Sequence, residues 1–214
     1  MTRIKICGVT RAEDAAWVAA AGVDFIGLNF WPSSRRYLAP AAAPAVAAAA
    51  RAGGGARLVG VFVNAALDEI VAIARDVSLD VIQLHGDETP ADARAVTMAT
   101  GRAVWKAIAV GATCDLEGLD GWPVDAVLLD APAAGRGGAG KVFDWSLAHE
   151  ARRRHAGLQV VLAGGLGPHN VGDAIAAVAP WSVDVASGVE SAPGVKDASK
   201  VAAFVAAIRA PAGH

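Results

Sequence analysis

Eight short runs of apolar and β-branched residues recur along the chain, each bounded by Gly, Asp, Asn or Pro and each of strand length. They are Ile4–Cys7, Phe25–Phe30, Leu58–Val63, Val81–His85, Val104–Ile108, Ala126–Asp130, Gln159–Ala163 and Ser182–Ser187. Most read as continuous apolar stretches, the pattern of parallel strands covered on both faces. Segments of helical character lie between them: Arg11–Ala21, Ala41–Ala50, Ala66–Arg75, Pro90–Thr100, Phe143–His155 and Asn170–Ala179. Thr10 followed by Glu13 has the form of a capping box for the first of these, and Gly22 the form of a stop. Arg152, Arg153 and Arg154 put positive charge at the carboxyl end of Phe143–His155, where the helix dipole favours it. Ala41–Ala50 is mostly alanine and suits a helix lying close on a sheet.

Strands alternating with helices imply parallel pairing through right-handed crossovers. Two architectures compete, a closed (β/α)8 barrel and an open doubly wound sheet. Units of similar length favour the TIM barrel, and 214 residues lie near the lower limit of roughly 200 for that fold. No linker interrupts the rhythm, so residues 1–214 read as one domain, with 210–214 as a frayed tail.

Composition narrows the function. Hydrophobic residues make up 54% and charged residues 19%, which excludes a disordered chain. A net charge of −2 and a pI near 6.2 argue against a nucleic-acid partner held by a basic surface. There is no signal-peptide pattern and no apolar stretch long enough for a membrane. Cys7 and Cys114 are too few for a disulfide framework or a four-ligand metal site, so a cytoplasmic location and no metal are expected.

In such a barrel, chemistry gathers at the carboxyl ends of the strands. The residues there are Cys7, the Pro32–Tyr37 segment, Asn64, His85, Asp130, Gly164-Gly165 and Ser187-Gly188. Glycines after the seventh and eighth strands let backbone N–H groups approach a phosphate, with a helix N-terminus following, so a phosphorylated small-molecule substrate is expected. Taken singly, Cys7 would be a small hydrophobe and Asp130 a helix N-cap. Strand parity puts Lys5 on the face of Cys7 and Gln83 on that of His85. A lysine inside a barrel needs a partner, and Asp184 on the adjoining eighth strand is the candidate.

Together these residues resemble the phosphoribosylanthranilate isomerase family. The resemblance is carried, in order over about residues 3–205, by Lys5-Ile6-Cys7-Gly8, Ser34-x-Arg36-Tyr37, Val61-Phe62-Val63-Asn64, Gln83-Leu84-His85-Gly86, Leu129-Asp130, Gly137-Gly138-Ala139-Gly140 with Phe143-Asp144-Trp145, Gly164-Gly165-Leu166 and Asp184–Glu190. It implies an enzyme of tryptophan biosynthesis that performs an Amadori rearrangement by acid–base catalysis without a cofactor, as a monomer or homodimer. It further implies Cys7 as base, Asp130 as acid and Arg36 as the partner of the anthranilate carboxylate. His85 would support the substrate, and Gly164, Gly165, Ser187 and Gly188 would bind phosphate. Gly135–Lys141 would be a flap. Ala186 stands where many relatives have serine, and Val142 where threonine is frequent. Those roles call for a lowered thiol pKa, aided by Lys5, and a raised Asp130 pKa in a partly dry pocket. The rivals are a sibling barrel, such as indole-glycerol-phosphate synthase or the histidine-pathway aminoaldose isomerase, and a silent phosphate-binding barrel. The siblings rely on other acids and bases, and a silent barrel would be expected to lose Cys7 or Asp130.

Overall fold

A computed structural model describes residues 1–132 and 143–210, so the expected flap at 135–141, Val142 and the tail residues 211–214 lie outside the described residues. Eight parallel strands close into a barrel in sequence order: β1 Arg3–Cys7, β2 Phe25–Asn29, β3 Arg57–Phe62, β4 Val81–Leu84, β5 Ala103–Ala109, β6 Ala126–Asp130, β7 Val160–Leu162 and β8 Ser182–Val185. Closure is made by β1 and β8, with Lys5 opposite Asp184. The helices α1 Ala12–Ala20, α2 Ala43–Gly53, α3 Leu67–Asp76, α4 Pro90–Thr100, α5 Trp145–Arg154, α6 Val171–Val178 and α7 Ala198–Arg209 surround it. The fold is the expected single-domain TIM barrel. No helix among the described residues is long and apolar enough to cross a membrane.

Strand parity sorts the core into two shells. Ile4, Ile6, Ile26, Leu28, Leu58, Ile82, Leu84, Val127, Leu129 and Val183 point outward against the helices. Phe25, Val59, Val81, Trp105, Leu128 and Val161 fill the interior. The amino-terminal end of the barrel is plugged by aromatic rings. Phe25 meets Trp105 edge-on at 4.9 Å, and the Arg3 guanidinium covers Trp181 at 4.6 Å. Above this plug Lys5, Gln83, Asp130 and Asp184 bring polar side chains inside the barrel, so its polar groups gather at one end.

Three aspartates fasten the lower end. Asp24, Asp80 and Asp125, each one residue before an even-numbered strand, accept from the backbone N–H of Ile4, Leu58 and Val104 at 2.8–2.9 Å. Their own N–H groups donate to the carbonyls of the same three residues. Each Asp thereby satisfies an N–H on the preceding odd-numbered strand that would otherwise be left unpaired.

Local details differ from the sequence reading in instructive ways. The Thr10–Glu13 capping box does not form. Thr10 instead donates its hydroxyl to the carbonyl of Gly194, 2.7 Å away, and α1 starts after Arg11, which pairs with Glu13. A long-range acceptor outcompetes the local cap. Helix α5 begins two residues later than Phe143, because Phe143 is buried and Asp144 caps the helix through the N–H of Ser146. Of its basic end, Arg153 and Arg154 pair with Glu150, and Arg152 donates to the carbonyl of Val178. The alanine-rich α2 packs against α1, where a Cβ on Gly53 would lie 2.1 Å from the carbonyl oxygen of Ala16. The sequence reading did not include α7, nor the hairpin β9 Glu190–Ala192 with β10 Val195–Lys196. A cap at Asp197 and apolar residues at Val201, Phe204, Val205 and Ile208 were the available signal for α7.

Candidate active site

The end of β1 is shaped for a thiol. Gly27 on β2 lies beside Cys7, and a Cβ there would stand 2.8 Å from the Cys7 sulfur. Gly8 turns the chain with φ +73°, and a side chain on it would collide with Cδ of Arg36 at 2.4 Å. The two glycines therefore make room for the sulfur and for the arginine stem. If Cys7 takes part in a reaction, Gly27→Ala, which displaces the thiol, is expected to reduce kcat at least ~10-fold, since small misplacements of reacting groups cost that much or more. Steady-state kinetics on the folded variant checks this, and unchanged kcat would contradict it.

Cys7 shares a hollow of about 90 Å3 with Arg36, Gln83, His85, Asp130, Asp184 and Ala186. Beneath it Lys5, wholly buried, donates to Asp184 at 2.9 Å, the pairing inferred from strand parity. The electrostatics correct one expectation. Burial pushes the Cys7 thiol above its ordinary pKa, and the opposing pull of Lys5 does not overcome it. At β6, burial raises the Asp130 carboxyl to about 6, against the Ala131 N–H that donates to it at 2.8 Å. That direction matches expectation. Burial, and after it the charge of Lys5, lowers His85 to about 4, so its ring is neutral at physiological pH. Gln83 Nε2 lies 2.9 Å from His85 Nδ1, and Gln83 Oε1 is buried with no hydrogen-bond partner among the described residues.

Beyond His85 and Asp130 a wider cleft of about 550 Å3 continues over β4–β6. On its wall Lys106 bonds the carbonyl of Gly86 and the carboxylate of Glu88, both at 2.7 Å, and lies 5.6 Å from the Trp122 ring. Asn64 proves to serve this turn: its backbone N–H donates to Glu88, and its side-chain oxygen accepts from the Asp87 N–H.

The glycines after β7 and β8 form one wall. Gly164 and Gly165 have φ +84° and +69°, and a Cβ on Gly164 would lie 2.9 Å from Asp130 Oδ1. Asn170 clips the turn by accepting from the Gly167 N–H and donating to the Gly165 carbonyl. Gly188 lies so close that a Cβ would stand 2.0 Å from the Leu166 carbonyl oxygen. Ser187, exposed, opens a short 3-10 turn, Ser187–Val189. The structure thus sets the two glycine sites together and beside Asp130.

Glu190 and Lys196 were not singled out as site residues by the sequence reading. Glu190 accepts from Arg36 Nε at 2.8 Å and Nη2 at 2.7 Å, while Lys196 reaches Glu190 at 2.8 Å and the Cys7 carbonyl at 2.6 Å. The signal lay in two opposite charges flanking the Ser191–Gly194 turn, which the hairpin register sets opposite each other.

Known proteins carry the same arrangement of sequence. The family model described as "N-(5'phosphoribosyl)anthranilate (PRA) isomerase" matches residues 4–207. N-(5'-phosphoribosyl)anthranilate isomerases of Myxococcus xanthus and Solibacter usitatus are 46% and 43% identical, over 97% and 98% of this chain and 96% and 98% of theirs. The crystal structure of phosphoribosyl anthranilate isomerase from Thermotoga maritima superposes with a TM-score of 0.88 at 39% identity, covering 97% of this chain and 98% of that one. Another solved isomerase, in complex with reduced 1-(o-carboxyphenylamino)-1-deoxyribulose 5-phosphate, matches with a TM-score of 0.84 at 37% identity over 96% and 97% of the two chains. A barrel ending in Cys7 and Asp130 over a double glycine wall, with these relatives along nearly its full length, belongs to the N-(5'-phosphoribosyl)anthranilate isomerase family.

Proposed function

We propose that this chain converts N-(5-phosphoribosyl)anthranilate to 1-(2-carboxyphenylamino)-1-deoxyribulose 5-phosphate in tryptophan biosynthesis, with Asp130 as general acid and Cys7 as general base. The observation that carries the reading is the shared hollow: Cys7 and Asp130 reach it from different strand ends, with Arg36 on its wall and the glycine wall next to Asp130. Asp130 protonates the furanose ring oxygen, and the ring opens to a Schiff base. Cys7 removes the C2 proton and the iminium takes up the electron pair, giving an enaminol; C1 then gains a proton and the C2 hydroxyl loses one, which completes the aminoketose. Arg36 receives the anthranilate carboxylate, since a guanidinium can bind it through two hydrogen bonds. Neutral His85 supports the sugar. Backbone N–H groups around Gly164, Gly165, Ser187 and Gly188 receive the phosphate. The same reading assigns the protein to the cytoplasm, as a monomer or homodimer.

The shifted pKa values set the pH dependence. The reactive pair carries one proton, on Asp130, with the thiol ionised. The dominant one-proton form of the free protein is its tautomer, thiol and carboxylate, because Cys7 is pushed up and Asp130 lies at about 6. The two forms interconvert without net gain or loss of protons, so their ratio does not change with pH. Below pH 6 both groups are protonated and the reactive form disappears. The profile of kcat/KM is therefore expected to rise with pH through about 6 and to stay level until the thiol itself ionises. A profile that falls between pH 5 and 7 would contradict the assignment.

A further inference from the structure

We propose that Glu190 is a positioning residue for substrate recognition: it fixes the plane of Arg36 so that the outer edge of the guanidinium is presented to a carboxylate. The inference rests on the role given to Arg36 above.

The geometry is specific. A guanidinium has five N–H donors in a rigid fork. Glu190 occupies two of them, Nε–H and one on Nη2, through separate carboxylate oxygens at 2.8 and 2.7 Å. Three remain, on the end formed by Nη1 and the second Nη2 proton. That end can offer two parallel bonds to a planar carboxylate, while the end that Glu190 holds cannot rotate away. An unrestrained arginine would instead spread over its rotamers and lose this ordering on binding.

Glu190 is itself immobilised. Its side chain is 5% exposed and its Oε1 also accepts from Lys196, whose side chain is wholly buried. The Gly194 N–H adds a longer contact to Oε1, and Lys200 donates to the Glu190 carbonyl. Lys196 in turn bonds the carbonyls of Cys7 and Ala186, tying the hairpin to the ends of β1 and β8. Gly8 leaves the space through which the Arg36 stem passes. The charges also suit an anion. Two cations and one carboxylate leave a single positive charge, which a substrate carboxylate would neutralise. The hairpin that follows the proposed phosphate turn therefore has a second task, aiming Arg36.

The test compares two stable ligands by calorimetry: the reduced 1-(o-carboxyphenylamino)-1-deoxyribulose 5-phosphate, and the same compound without its o-carboxyl group. Wild type is expected to bind the carboxylated ligand more tightly, and Arg36→Ala to lose most of that preference. Glu190→Gln is expected to cut the preference at least ~10-fold, to change affinity for the carboxyl-free ligand by less than about twofold, and to raise KM with kcat nearly unchanged. Glu190→Asp keeps the charge between the two cations but retracts the carboxylate by one methylene. It is expected to cut the preference as well, and it carries the test if the Gln variant does not fold. A preference that survives both Glu190 changes while Arg36→Ala abolishes it would overturn the proposal and leave the Arg36 reading intact. A preference that survives Arg36→Ala would overturn both.

Discussion

Asp130→Asn is expected to lower kcat by about two to four orders of magnitude, the usual contribution of a positioned acid, while making the folded protein more stable at pH 8. The two effects have one cause. Burial raises the Asp130 carboxyl from 3.8 to about 6, so ionising it costs more in the folded chain than in the unfolded one. A folded-state pKa raised above the unfolded value gives a contribution to stability that is complete below the unfolded pKa, near 4, and lost as pH rises through about 6. The loss is on the order of 3 kcal/mol for a shift of this size. Asn cannot ionise, keeps an oxygen for the Ala131 N–H, and fits the space left by Gly164. The difference in melting temperature between variant and wild type should therefore open between pH 4 and 8. Normal turnover in the variant, or a stability difference indifferent to pH, would contradict this.

Lys5→Met is expected to cost about 3–5 kcal/mol of stability, because it leaves a carboxylate enclosed in the barrel without its counter-charge. Lys5 is wholly buried, and its ammonium meets Asp184 at 2.9 Å. The double change Lys5→Met with Asp184→Leu is expected to recover most of that loss, since apolar side chains of similar volume replace buried ion pairs at little cost. Urea unfolding of Lys5→Met, of Asp184→Leu and of the double variant measures the coupling. A single Lys5→Met that unfolds like wild type would show that Asp184 does not depend on Lys5.

The alternating rhythm made the barrel legible from the sequence, because its strands are buried on both faces and its turns are marked by Gly, Asp and Pro. Parity on β1, with β8 as its neighbour in a closed barrel, was enough to pair Lys5 with Asp184, a contact 179 positions apart. What the sequence concealed depended on long-range competition. Thr10 looked like a cap, but the Gly194 carbonyl, brought close only by the folded β9–β10 hairpin, takes its hydroxyl. Glu190 is the last residue of the Asp184–Glu190 motif, yet its partner Arg36 is 154 positions away and no local pattern links them. The thiol was expected to be drawn down by Lys5. The structure shows why it is not: the barrel that brings Lys5 near also encloses most of Cys7, and burial outweighs the attraction. Local sequence shows which charges are near; how dry they are emerges only from closure of the barrel.

The most direct test follows the fluorescence of N-(5-phosphoribosyl)anthranilate in the presence of wild type and of folded Cys7→Ala, side by side. Wild type should consume the substrate and Cys7→Ala should do so at least ~100-fold more slowly, as removal of a general base requires. A wild-type protein that leaves the signal unchanged, or a Cys7→Ala variant with near-normal turnover, would contradict the account.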